Sequence, residues 1–364
     1  MFGHSFRRAG LRTPQTMEPQ GPQELDGKLL EGGGQVLRNG VALAAETGKA
    51  VRIVNVRAGR STPGLRKQHV ASVRLVAKLT GSVLSGDEVG SCELTVTPPE
   101  VRVSRRAVGV AADADGAGSV ALMLQAALPA LVRLGGSVVL RGGTEGSYAP
   151  TIDYVRYVLC PTLRRAFGLQ LDVTVVRRGW GNGGGLVGAT LSEPVGALPP
   201  ARGLSGPRGA PKCLHLYIEH AGAKHRPVDE VMEDLCSFFE QELPDWRLVS
   251  KSVSGRTVGV RGMSVLVVAE TEDGLLFGAS AVGGKTQALR ACVRELRDDL
   301  ASGACVDRHM QDQLVALMAL AGGESSVRTG PLTLHTRTAV HWASELTGAR
   351  FERKDKDGVL ICRP

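Results

Sequence analysis

Between residues 51 and 191 short β-rich runs and amphipathic stretches follow one another in a repeating rhythm, which restricts the possible folds more than any other feature of the chain. VRIVNVR reads as a strand. TPGLRKQHVASVRLVAKLTG reads as a helix with Thr62 as its N-cap, Pro63 at its first position and Gly81 as its stop. SCELTVTP reads as a further strand, and the order repeats with a helix over 118–134, a strand at GSVVLRG, a helix over 150–167 and strands at LQLDVTVV and GLVGATLS. This alternation predicts an α/β (α+β) fold built from similar layers of helices on sheets. At residues 193–211, EPVGALPPARGLSGPRGAP, prolines and glycines predict a linker or long loop. Beyond it CLHLYIEH, PVDEVMEDLCSFFEQEL, WRLVSKSV, MSVLVVAET and LLFGASAV make a small βαβββ module. A charged helix at KTQALRACVRELRDDLAS then leads back to apolar, glycine-punctuated sequence and a last strand at GVLICRP. The expected organisation is a disordered tail over 1–24, a core over 25–192, a small insert over 193–284 that begins with the Pro/Gly-rich loop, and the remainder of the core over 285–364.

Composition narrows the partners. No apolar run reaches the roughly 18 to 20 residues that span a bilayer; the longest candidate, VALMLQAALPALVRLGG, is interrupted by Pro129 and Arg133, so no membrane association is expected. Lys plus Arg total 44 against 36 Asp plus Glu, a net charge of +8. That balance favours a polyanion. The 47 glycines in 364 residues are about twice the usual share of about 7% and imply many tight turns. The cysteines at 92, 160, 213, 236, 292, 305 and 362 include no CxxC pair, so neither a disulfide framework nor a zinc knuckle is expected and a reducing compartment fits. The first 17 residues, with three Arg and no acid, have the character of a mitochondrial transit peptide; the second Met at 17 makes an alternative start the preferred explanation.

Several motifs mislead. GGKT at 283–286 lacks the earlier glycine of a P-loop, because Ala279 stands there. GWGNGG at 179–184 matches GxGxxG but runs into a strand, not a helix. His215, His220 and His225 are spaced by five, which aligns ligands on neither a strand nor a helix, so they are expected to be surface histidines. There is no GxSxG elbow, and no Cys has a His at a convincing spacing.

Polar clusters at the ends of elements carry more chemistry. LLEGGGQVLRN (29–39) gathers Glu31, three glycines, Gln35 and Arg38; a glycine turn can cradle an anion with its N–H groups, and Arg38 can grip it bidentately. NVRAGRSTPGLRKQH (55–69) presents Arg57, Arg60 and a helix N-terminus at Thr62, an end that favours phosphate. In TGPLTLHTRTAVHWASE (329–345), LTL reads as a short strand and RTAVHWASEL as a helix with Thr336 as N-cap, placing His335 at the junction. The positive end of a helix disfavours imidazolium and keeps a nitrogen lone pair available, so His335 is a candidate nucleophile. His341, about 240° further round the helix, cannot pair with it on a metal and reads as a helix-face residue beside Trp342.

EGGGQVLR, RAGRSTPGLRKQH, GSVALMLQAALP, GGTEGSYAPTIDY, QDQLVALMALA and TGPLTLHTRTAVHW, in this order and with these separations, resemble the RNA 3'-terminal phosphate cyclase family over roughly residues 25 to 350. The resemblance implies a large domain of three repeated units, each a four-stranded sheet with two helices, interrupted by a small α/β insert. It implies ATP-dependent conversion of an RNA 3'-phosphate to a 2',3'-cyclic phosphodiester, with His335 as the nucleophile that forms a covalent histidine-AMP. It further implies nucleotide contacts at Gln125, Pro150, Asp312 and Gln313, a divalent metal (Mg2+ or Mn2+) at Glu31, phosphate and RNA-end contacts at Arg38, Arg57 and Gln68, and nuclear residence. The RNA bears a 3'-terminal phosphate; no protein partner is inferable. Two departures stand out: the family's adenine-stacking aromatic is His309 here, which predicts weaker ATP affinity, and the glycine-rich AVGGKTQA stretch is shorter than usual. Competing expectations are a non-catalytic cyclase-like protein of ribosome assembly and a plain RNA-end binding module. Retention of His335 with Gln125, Asp312 and Gln313 favours the enzyme.

Overall fold

The computed structural model describes residues 21–364 other than 147, 182, 223–225, 257–261 and 355. His225 and most of the N-terminal tail therefore lie outside the described residues. Gln23 and Glu24, expected to belong to that tail, instead begin the first strand.

The first unit runs β1 (Gln23–Asp26), α1 (Gln35–Thr47), β2 (Val51–Val54), α2 (Lys67–Thr80), β3 (Val83–Ser85) and β4 (Leu94–Thr97). Its sheet has the order β1-β2-β4-β3, with β1 and β2 parallel and the other pairs antiparallel. The parallel pair requires a crossover, which α1 supplies. The second unit repeats the design: β5 (Ala107–Asp113), α3 (Val120–Leu134), β6 (Gly136–Gly142), α4 (Ile152–Tyr154) continuing through a π-helical stretch Val155–Leu159 into α5 (Cys160–Phe167), then β7 (Leu171–Arg177) and β8 (Gly185–Leu191), in the order β5-β6-β8-β7.

The next sheet, ordered β10-β9-β11-β12, comprises β9 (Pro211–Ala221), β10 (Leu248–Arg256), β11 (Gly262–Thr271) and β12 (Leu276–Val282), with α6 (Val228–Glu242) and α7 (Thr286–Ala301) packed together and α7 lying on β11 and β12. Alternation on β9 buries Leu214, Leu216 and Ile218 in the core. The opposite face docks on the second unit, where Tyr217 stacks on Tyr157 with ring centroids 4.0 Å apart and Glu219 meets Arg178 at 2.8 Å.

The chain ends with α8 (Met310–Leu320), β13 (Ser325–Arg328), α9 (Leu334–Thr347), β14 (Arg350–Lys354) and β15 (Val359–Arg363), whose three-stranded sheet has the order β13-β15-β14. The missing edge position is filled from the Pro/Gly-rich stretch. Leu204 makes a parallel bridge to Val327, Arg328 N–H donates to the Leu204 carbonyl at 2.7 Å, and Leu198, Ala201 and Leu204 are buried. A third βαβαββ unit results, with β9 to α7 spliced between its first strand position and its first helix. The fold is thus α/β, three similar sheet-and-helix units with a small insert. Among the described residues no helix is long and apolar enough to cross a membrane, and α3 runs unbroken through Pro129.

Two helix starts differ from expectation. α2 begins at Lys67, not at Thr62. Arg57, in a left-handed conformation with φ 55°, donates through Nη1 to the carbonyls of Thr62 (2.7 Å) and Gly64 (2.9 Å), and Leu65 N–H pairs with the Ser91 carbonyl, so residues 57–65 are held as a loop. The stop at Gly81 is as expected, with φ 74°. α9 begins at Leu334, and the stretch expected as a strand supplies its cap: Thr333 Oγ1 accepts from Thr336 N–H at 3.0 Å.

Candidate active site

Five helices begin at one place. Gln35 opens α1, His335 is the second residue of α9 and Asp312 the third of α8, and these three are joined: His335 Nδ1 lies 2.7 Å from Gln35 Oε1, and Gln35 Nε2 donates to Asp312 Oδ2 at 2.8 Å. The first turn of α2 brings His69 against Gly34, where a Cβ would come 2.7 Å from the imidazole Nε2 and 3.2 Å from Arg38 Nη1. From the same turn Gln68 Oε1 accepts from Ser119 N–H, the cap of α3, at 3.4 Å. Each helix start presents the positive end of its dipole, and Arg38, Arg57, Arg60 and Arg66 add charge. The combined field suits an anion.

The polarity of the central chain follows from its ends. A guanidinium only donates, so Arg38 Nε, 3.1 Å from Gln125 Oε1, fixes that amide with its nitrogen toward Asp312 Oδ2 at 3.4 Å. Asp312 then accepts from both glutamines, Gln35 turns its oxygen to the imidazole, and His335 Nδ1 must donate. The lone pair is left on Nε2, which has no partner among the described residues, on a side chain exposed to solvent. Burial pushes the Asp312 carboxyl above its ordinary range against the opposing influence of His335 and Arg38, and lowers Arg38 against Asp312 and Glu31.

Glu31 faces the same place. Its N–H donates to Thr338 Oγ1 in α9 at 3.2 Å, its Oε1 pairs with Arg60, and its Oε2 is buried without a hydrogen-bond partner among the described residues. Gly33 and Gly34 are small because the Glu31 carboxylate, the His69 ring and Arg38 close on them. Arg57 lies close enough to influence Glu31 and His69 electrostatically, but its Nη1 is committed to its own loop. Gln125, Asp312 and Gln313 line a small cleft with Asn39, Pro129 and Leu317 between α1, α3 and α8. His309 stands at the start of α8; its Nε2 is 2.7 Å from Glu295 Oε1, and its carbonyl accepts from Gln313 Nε2 at 2.9 Å. Burial opposes its charge, but Glu295 and Asp307 prevail and raise its pKa to about 9. Pro150 immediately precedes Thr151, the cap of α4. His341 packs edge-on against Trp342, centroids 4.5 Å apart.

Sequence reasoning misses two groups here. Gln35 lies in EGGGQVLR, yet its task emerges only when α8 and α9 meet it. His69 ends another motif; buried at 5% exposure, it accepts from Arg66 N–H through Nδ1 at 3.0 Å, and burial with Arg57 and Arg38 nearby depresses it to about 3. It is therefore a neutral ring among cations.

Fold and site together define an α/β repeat protein whose helix starts converge on an exposed imidazole in an anion-attracting field. The profile of the RNA 3'-terminal phosphate cyclase family matches residues 29–353. A Dictyostelium discoideum protein named "Probable RNA 3'-terminal phosphate cyclase" is 35% identical over 93% of this chain and 79% of its own length. Proteins named RNA 3'-terminal phosphate cyclase from Thermococcus onnurineus (36% identical, 92% of this chain, 96% of that protein) and Drosophila melanogaster (33%, 92% and 94%) are similar throughout. The chain belongs to the RNA 3'-terminal phosphate cyclase family.

Proposed function

We propose that this chain is an ATP-dependent enzyme that converts an RNA 3'-phosphate into a 2',3'-cyclic phosphodiester through a covalent histidine-AMP on His335. The observation that carries the proposal is the open Nε2 of His335, its lone pair set by the Arg38–Gln125–Asp312–Gln35 chain where five helix starts converge. A phosphate monoester dianion is a poor electrophile without a good leaving group. In the first step the Nε2 lone pair attacks the α-phosphorus of ATP, an N–P bond forms and the P–O bond to pyrophosphate breaks. An oxygen of the RNA 3'-phosphate then displaces the imidazole and takes AMP. Finally the 2'-hydroxyl attacks the terminal phosphorus, loses its proton and expels AMP. Arg38 and the helix starts would stabilise charge on the phosphoryl oxygens.

Gln125, Asp312 and Gln313 would contact the nucleotide in their cleft, with Pro150 and His309 at its margins, and Arg57 and Gln68 would handle the RNA end. The unpartnered buried oxygen of Glu31 fits a divalent cation, Mg2+ or Mn2+. Such an ion would neutralise triphosphate charge. Residence in the nucleus belongs to the same proposal and is checked with a fluorescent fusion.

The test is incubation with ATP labelled at the α-phosphate, followed by denaturation and counting of label on the chain. The wild type should retain acid-labile label and His335→Ala none. Label on both overturns the assignment of His335; label on neither supports the non-catalytic, cyclase-like reading.

A further inference from the structure

Cys213 and His215 stand two residues apart on β9 and point to the same face of its sheet. The register sets Glu270 of β11 directly opposite Cys213, and one ligand atom from each residue lies within 4.8 Å of the others. The separations are 3.4 Å from Cys213 Sγ to His215 Nε2, 3.9 Å from Sγ to Glu270 Oε2, and 3.1 Å from Nε2 to Oε2. A tetrahedral zinc ion with bonds of about 2.3 Å to sulfur, about 2.0 Å to nitrogen and about 2.1 Å to oxygen sets its ligands about 3.3 to 3.6 Å apart. The three measured edges lie within about half an ångström of that range, so small side-chain adjustments close the site.

The surroundings already aim the ligands. Ser250 on β10 lies 2.7 Å from His215 Nδ1; with Nδ1 donating to that hydroxyl, the lone pair sits on Nε2, the arrangement typical of metal-bound imidazole. Lys212 Nζ holds the other Glu270 oxygen, Oε1, at 2.6 Å, which turns Oε2 inward. Cys213 is buried, while the side chains of His215 and Glu270 are each 24% exposed, so solvent reaches one side. A sulfur, nitrogen and oxygen set favours zinc over magnesium or calcium.

We propose that Cys213, His215 and Glu270 bind one zinc ion, with water in the fourth position. On binding, the thiol proton passes to solvent, an S–Zn bond forms, and Nε2 and Oε2 donate lone pairs to the metal in place of their mutual hydrogen bond. The ion ties β9 to β11 on the face whose other residues, Tyr217 and Glu219, dock on the second unit. None of the three ligands contacts the His335 network, so this site stands independently of the proposed reaction.

The test uses the full-length protein, freed of metal with a chelator and titrated with Co2+ as a spectroscopic probe, then with Zn2+. Expected are a thiolate-to-cobalt charge-transfer band saturating at one equivalent, its displacement by Zn2+, its loss in Cys213→Ser, its persistence in Cys92→Ser, and affinity weakened about 10- to 100-fold in Ser250→Ala. Wild-type protein that shows no thiolate band, including one that binds cobalt through oxygen ligands only, overturns the proposal. So does a band that survives Cys213→Ser. Because the wild-type spectrum can itself refute the site, a variant that fails to fold does not shelter it.

Discussion

Replacing Gln35 with methionine keeps the volume of the side chain but removes both of its hydrogen bonds, the one received from His335 Nδ1 (2.7 Å) and the one given to Asp312 Oδ2 (2.8 Å). The first is a bond of a neutral pair, whose net worth is about 0.5 to 1.5 kcal/mol; spread over the attack-ready orientation of the ring, that corresponds to about a 2- to 13-fold slower labelling by ATP at saturation. The second is a bond to a carboxylate, worth about 1.5 to 3 kcal/mol, and its loss leaves Asp312 with the longer contact to Gln125 at 3.4 Å, so the variant should also be less stable in urea by an amount in that range. A merely structural role is separated from a positioning one by Gln35→Glu. Its carboxylate still accepts from Nδ1–H but favours the charged ring, so the acid limb of the labelling rate should move to higher pH by about one unit or more. Single-turnover labelling across pH measures both quantities. Wild-type rates in Gln35→Met, together with an unmoved acid limb in Gln35→Glu, would refute the account of how the lone pair of His335 is set.

Gly34→Ala should destabilise the protein by about 1 to 3 kcal/mol, because its Cβ would lie 2.7 Å from His69 Nε2 and 3.2 Å from Arg38 Nη1; an unchanged melting temperature would contradict this. His309, raised to about 9 by Glu295 and Asp307, contributes stability that is complete below its unfolded value of about 6.5 and is lost as pH rises through about 9. His309→Ala should therefore show a deficit in urea unfolding at pH 6 that closes by pH 10, held below about 1 kcal/mol because the ring is half exposed and screened. Glu145 acts in the same direction over a lower window: burial lifts it to about 7 against the pull of Arg178, so the native state binds an extra proton between about 4.5 and 7 and the wild type loses stability as pH rises through that window. Glu145→Gln escapes the loss and should gain on the wild type by up to about 3 kcal/mol between pH 5 and pH 8; a pH-independent difference would rule this out.

The insert is legible in the sequence almost strand by strand, because β9 to β12 are long and rich in β-branched and apolar residues, and α6 is clearly amphipathic. The first unit is harder to read. β1 is only four residues long, and Gly40 interrupts the helical pattern of α1, although it serves there as the point where Ile53 and Leu25 press close. The start of α2 is misjudged because Thr62 and Pro63 carry strong helix-start signals, whereas the hydrogen bonds that hold them in a loop come from Arg57. Residues such as His335, Asp312 and Gln125 can be singled out one motif at a time, but their connection through Gln35 spans 300 residues between Gln35 and His335 and has no local signature. The same holds for Cys213, His215 and Glu270. The spacing of the three histidines is uninformative because the partners of His215 stand at a short step behind it and across the sheet.

The splice at Leu204 also governs how the chain comes together. The third unit obtains its outer strand position from a stretch synthesised more than a hundred residues ahead of β13, and Ala201 and Leu204 must wait for Ser325 and Arg328 to emerge. Closing so wide a loop is entropically costly when the intervening chain is slack. Collapse of the β9–β12 sheet and its two helices ahead of that closure would shorten the search by drawing the two ends together. The first two units, each local in sequence, can form on the ribosome ahead of it, and the last third of the protein is then assembled by a clasp whose two halves are born at opposite ends of the insert.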